Sequence, residues 1–304
     1  MPERTVGSPQ AHPAATAAFP GATAITVLDV YDWVAPDGLP GGSAHVHLAS
    51  TEGYVVASGA GRLQTLGERG YAETPLRPGD CLWFTPGTIH RLVNEGDLRL
   101  FVVMQNAGLP EHGDAVLTFP PEILADRDAY ARAATLPGGG QPVGGGARGG
   151  EAGGSVAVGA GGGGEADGGA GADGSAGAGV LGGDGTGESG VAAAARRRAG
   201  LAVEGYLALR ERVLESGPGA LDDFYAAALR LAGQRADDWR DRWQAGALAT
   251  AELTGDHLDE ISASVAGHLD AAGLWRIERP AEERSYGMCG RLTTYPAARA
   301  VRAG

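Results

Sequence analysis

The sequence predicts an all-β barrel or sandwich, then a long flexible linker, then a second and mainly helical module. Three observations carry that prediction. Residues 24–106 break into short β-branched and aromatic runs punctuated by glycine and proline. Residues 138–190 are glycine-dominated and hold no aromatic side chain at all. Beyond them, apolar residues recur at three- to four-residue spacing as far as about residue 275.

Residues 1–22, rich in proline, alanine and threonine, read as a loose arm. Strands are expected over 25–33, 45–48, 54–56, 62–66, 82–84, 89–93 and 98–104, with turns between them. Gly59, Gly79 and Gly87 fall at the expected strand ends, where the chain must reverse. Pro120 and Pro121 then open a helix over 122–134, proline being favoured in a first turn. The first module thus spans 23–137. The segment 138–190 lacks the apolar surface needed to offset the entropy of ordering it, so it reads as a disordered tether.

In the second module, 191–304, a helix over 192–214 carries Leu201, Tyr206, Leu209 and Val213 on one face. Gly217, Pro218 and Gly219 stop it. Helices over 221–232, around 239–253 and over 256–272 follow, the last with Leu258, Ile261, Val265 and Leu269 on one stripe. Trp239 and Trp243, four apart, read as part of the module's core. Residues 274–295 read as two short strands around a turn at 280–284.

Composition removes several functions. The 24 basic side chains are all arginine, so Schiff-base catalysis, a pyridoxal-phosphate anchor and a P-loop lysine are excluded within this chain. The formal charge of −13 repels phosphate backbones and argues against nucleic-acid binding. Cys81 and Cys289 lie in different halves, too few and too far apart for a disulfide framework, which fits a reducing cytoplasm. The N-terminus lacks a basic start followed by an apolar run, and no stretch reaches the ~18 apolar residues of a membrane span.

The chemistry-bearing residues cluster in the β module. His45 and His47, one residue apart, project to the same face of a strand. Glu52 follows across a short turn, and His90 comes after Gly87, with Asn94 farther along the same strand face. Three imidazoles and one carboxylate facing a barrel interior make a mixed nitrogen and oxygen site for a divalent first-row metal. Tyr54, two positions beyond Glu52, also faces inward and is a candidate to orient a substrate or a metal-bound water. Arg91, next to His90, is expected outside at the surface, and Cys81 reads as a small buried hydrophobe. Trp83 and Phe84 read as core or dimer contacts. His112, Glu111 and Asp114 read as a solvated loop, as do the three arginines 196–198 opening the first C-terminal helix.

The spacing His45-x-His47-x4-Glu52-x6-Gly59 resembles the first motif of the cupin superfamily, and Gly79-x5-Thr85-x-Gly87-x2-His90-x3-Asn94 resembles the second. Two turn positions depart from that pattern: Leu39 stands at the first motif's leading glycine, and Thr85, with Pro86 beside it, at the second motif's proline. All four ligand positions are intact. The resemblance covers about 24–119, with the short intermotif stretch of small single-domain bacterial cupins. It implies a double-stranded β-helix of six to eight antiparallel strands around one ion (Fe, Mn, Zn, Ni or Co). It also implies a homodimer and a small-molecule substrate or ligand.

A four-ligand ion leaves positions open for a substrate and for water or dioxygen, with Glu52 or Tyr54 moving protons. Because dioxygenases are common among metal-bearing cupins, a dioxygenase-type oxidoreductase is the first expectation, and an isomerase or cyclase the second. The alternative is a non-catalytic ligand-binding or regulatory protein whose helical module reports binding. The tail loosely resembles the last helix and wing of a winged-helix domain. Its helix, however, carries Asp256, Asp259, Glu260 and Asp270 and no arginine, which does not suit DNA recognition.

Overall fold

The computed structural model describes residues 18–137, 190–278 and 284–303. The expected linker up to residue 189, and the expected arm up to residue 17, lie outside the described residues.

The chain enters strand β1 (Ala24–Val30) and continues through β2 (His45–His47), β3 (Glu52–Gly67), β4 (Gly70–Leu76), β5 (Cys81–Phe84), β6 (Ile89–Met104) and β7 (Ala115–Leu117). Two short helices follow, α1 (Pro121–Ala125) and α2 (Arg127–Ala134). They replace the single helix expected there, because Asp126 is extended and caps α2 by accepting from the Ala129 N–H at 2.7 Å. The helical region is α3 (Gly190–Ser216), α4 (Asp222–Ala232), α5 (Ala236–Trp243), α6 (Ala249–Ser262) and α7 (Gly267–Asp270). The last strands are β8 (Leu274–Arg276), β9 (Ser285–Tyr286), β10 (Gly290–Thr294) and β11 (Val301–Ala303).

Nine strands form one antiparallel sheet in the order β4-β3-β6-β1-β10-β9, with β5 against β3, and β2 bridging β6 and β7. Its spine is β3 against β6, paired from Glu52 opposite Met104 to Leu66 opposite Ile89. Each of these long strands was expected as two short ones. Gly79 and Gly87 do lie between strands, but Gly59 instead sits among register shifts between Val56 and Gly61, where the paired strands bend without breaking. Gly59 has φ +80°, and a Cβ there would stand 2.2 Å from the Asp97 carbonyl oxygen, so only glycine fits. Asn94 pins the same bend from β6: its Oδ1 accepts from the Gly96 and Leu98 N–H groups, while Nδ2 donates to Val30 O.

The tail departs from its expected pairing. β8 pairs with β11, whereas β9 and β10 form a hairpin whose second strand joins the barrel beside β1. Aromatic stacking fixes that hairpin. Tyr31 lies face to face with Trp33 at 3.7 Å, Tyr286 stacks beside both, and the Tyr31 hydroxyl donates to Gly287 O.

Two apolar clusters result. One fills the barrel, with Leu28, Tyr54, Leu63, Leu92, Leu100 and Cys289 among its members. The other lies between the barrel's outer wall and the helices, where Val46, Ile89 and Phe119 meet Tyr206, Phe224 and Trp239. The described parts of 18–137 and 190–303 therefore share one compact unit. Alanines on one face of α3 let it lie close to the barrel, and at Gly205 a Cβ would stand 2.0 Å from Thr118 O. Thr118 Oγ1 in turn donates to Ala202 O at 2.7 Å.

Candidate metal centre

The four predicted ligands converge. His45 and His47 sit on β2, His90 lies directly opposite His45 on β6, and Glu52 opens β3. All four are buried, and each offers a ligand atom within 4.8 Å of the others. They form the one such group found among the described residues.

Each imidazole is oriented from behind. His45 Nδ1 lies 3.2 Å from Ser43 O, His90 Nδ1 lies 3.1 Å from Thr88 O, and His47 Nδ1 lies 2.7 Å from Asp114 Oδ1. All three partners are acceptors, so every Nδ1 carries a proton and every Nε2 is the ring atom turned toward the centre of the group. Glu52 Oε2 stands 3.3 Å from His47 Nε2 and 3.1 Å from His90 Nε2. Metal–ligand bonds of about 2.1 Å would set octahedral neighbours about 3 Å apart, so these edges fit a first-row ion. Glu52 Oε2 and His90 Nε2 also lack any hydrogen-bond partner, which a buried polar atom rarely does.

Electrostatics agree with a cation site. Burial, with His90 and His47 adding to it, holds His45 well below the ordinary imidazole range, so it is neutral. Burial would likewise lower His47, but Asp114 and Glu52 outweigh it and raise that ring to about 10. Glu52 would be raised by burial, yet His90 and His47 draw it well below the carboxylate range. One proton is thus held at His47 between two acids, and it is the proton a cation would displace.

Tyr54 lies in this wall with its hydroxyl unpartnered, and its ring meets those of Phe84 and His90 edge-on. Burial and the Glu52 charge push its phenol well above the ordinary value, so it stays an O–H donor. Phe84 packs 4.3 Å from the His90 ring. Cys289, at the turn before β10, is buried with Sγ 3.9 Å from His45 Nδ1.

Several expectations are corrected. Arg91 does face away from His90, but that side is covered. It is fully buried and pairs with Asp37 at 2.5 and 3.1 Å. Arg198 is buried too, donating to Ala134 O and Gly287 O. Cys81 is exposed, and Trp83, 72% exposed on the barrel's outer face, is not the core residue that was one of its two expected roles. Trp239 is buried with its indole N–H on His112 O, whereas Trp243 is 38% exposed. Asp114, expected in a solvated loop, is fully buried and holds His47.

A match to the family described as Cupin domain covers residues 33–104. No curated protein matches the chain. Among solved structures, a predicted oxalate decarboxylase from Thermotoga maritima is 21% identical over 27% of this chain and 64% of its own, with a TM-score of 0.21. A cupin protein from Bacteroides fragilis is 22% identical over 28% of this chain and 65% of its own, with a TM-score of 0.21. Pac13, a nucleoside dehydratase from Streptomyces, is 15% identical over 27% and 58%, with a TM-score of 0.22. The chain therefore spans about three fifths of the length of these proteins.

Proposed function

Residues 33–104 of this chain are a cupin domain, and from that premise we propose a metal-dependent enzyme acting on a small molecule, with dioxygenase-type oxidation its first reading. The observation that supports it is the set of three imidazoles tied back at Nδ1, their Nε2 atoms left for a buried carboxylate oxygen with no other partner. His45, His47, Glu52 and His90 would hold the ion. A redox-active ion there would act as Lewis acid and activate dioxygen toward a chelating substrate such as an enol, diketone or catechol-like compound.

The chain's own groups do the rest. Glu52, ionised and shared between two rings, serves as a ligand rather than as a proton carrier. Tyr54, protonated and unpartnered, donates its hydroxyl proton in a hydrogen bond to a substrate oxygen and so orients it. Phe84 and the buried Tyr54 ring exclude water from that side. An isomerase or cyclase would use the same groups with the ion as Lewis acid alone. The two free thiols suit a cytoplasmic setting. Among the described residues no helix is long and apolar enough to cross a membrane.

Elemental analysis of full-length protein purified without chelator tests this reading. About one first-row ion per chain is expected, lost in the His45→Ala/His47→Ala variant, together with oxygen uptake on chelating metabolites. An empty site would overturn it.

One observation favours the regulatory alternative. Arg198 of α3 grips Gly287, two residues from the Cys289 that touches His45, so the helical module reaches the site. That reading expects ligand binding without turnover of any substrate. Multiple turnover by the loaded protein would count against it.

A further inference from the structure

Between Trp239 and Cys289 no described residue is buried. Helices α6 and α7 and the β8–β11 pair thus form a segment without a core of its own. Ordering a chain costs backbone entropy that buried apolar surface must offset, so such a segment needs a cover to stay folded.

What it presents is apolar. The four stripe residues face outward: Leu258 is 59% exposed, Ile261 60%, Val265 52% and Leu269 63%. The helix expected over 256–272 is broken in two: α6 begins at Ala249 and ends at Ser262, Ser264 takes a left-handed φ of 57°, and Leu269 falls on α7. On the strand pair, Leu274 is 68% and Val301 50% exposed. Charge is divided across the same surface. Ala249 to Asp270 contains Glu252, Asp256, Asp259, Glu260 and Asp270 and no arginine, whereas β8 and β11 carry Arg276 and Arg302. Glu260 is tied to His268, Arg302 donates to Ala272 O, and Arg276 pairs with Glu278, both well exposed. An ion pair that exposed is weak and readily exchanged.

We propose that this face joins two copies of the chain about a two-fold axis, the acidic helix of one lying against the arginine-bearing strand pair of the other. An acidic apolar helix beside a basic apolar strand pair is complementary to itself on two-fold rotation. The cover must also be present whenever the chain folds, in equal amount, and a second copy meets that condition. A second exposed apolar patch, Trp83 with Val55 and Phe101 on the barrel's outer face, rides on strands that already own a filled core. It needs no cover to stay ordered. This inference is independent of metal binding.

Sedimentation velocity on the full chain at micromolar concentration tests it. A dimer is expected, weakened at least about 100-fold by Leu258→Glu/Ile261→Glu. Should that variant misfold, charge exchange decides: Arg276→Glu/Arg302→Glu weakens the dimer, and adding Asp256→Arg/Asp259→Arg restores it. A monomeric wild-type chain overturns the proposal. So does a dimer that ignores all these changes and is broken by Trp83→Ala.

Discussion

Asp114 holds His47 from behind: its Oδ1 accepts the Nδ1–H at 2.7 Å, with both side chains buried. The other two ligand histidines lean on backbone carbonyls, Ser43 O and Thr88 O, each two residues upstream. His47 is therefore the one ring of the site held from behind by a charged side chain. Removing that carboxylate leaves the four ligands in place but frees the ring to rotate. Asp114→Ala should lower metal affinity about 10- to 100-fold, as loss of such a supporting partner typically does. Titration against a competing chelator measures this. Unchanged affinity would show that β2 alone orients the ring.

The acids on either side of His47 also predict a pH dependence. Without an ion, His47 is raised to about 10 and is protonated at neutral pH. Binding must displace that proton, so affinity should rise about tenfold per pH unit through neutrality and level off near pH 10. The metal-free protein behaves in the opposite sense. A folded-state pKa above the unfolded value of about 6.5 contributes stability that is complete below 6.5 and is lost as pH climbs toward 10. Calorimetry in buffers of differing ionisation enthalpy reads the proton directly. About one released per ion is expected at pH 7, and none would refute the assignment.

The ligands were legible in the sequence, and Asp114 was not, for one physical reason. A two-residue strand period places His45 and His47 together from local spacing alone. Asp114 reaches His47 from 67 residues away, with no local pattern to announce it. Strand parity likewise put Arg91 on the face opposite His90. Parity gives direction without saying what covers that side, and here the loop bearing Asp37 does. β4 has no counterpart among the expected strands; it holds Pro75, which suits an edge strand, where a missing N–H costs no ladder bond. β10 joins β1 across more than 250 residues of chain, a pairing that local periodicity does not encode.

The closeness of α3 to the barrel gives the last prediction. Thr118 receives the helix at Gly205, where a Cβ would stand 2.0 Å from Thr118 O and 2.6 Å from the Phe119 carbonyl carbon. Those are backbone atoms, so no side-chain rotation can relieve the clash. Gly205→Ala should improve local helix propensity by ~1 kcal/mol. It should nonetheless destabilise the folded protein by an amount in the ~1–3 kcal/mol range typical of overpacking, because α3, with its Tyr206, must lift from the apolar cluster it shares with Phe119. Gly200 on the same helix has open space at its Cβ, so Gly200→Ala should stabilise. Urea denaturation of the two variants side by side separates packing from propensity. If both move the midpoint upward, α3 does not dock through Gly205.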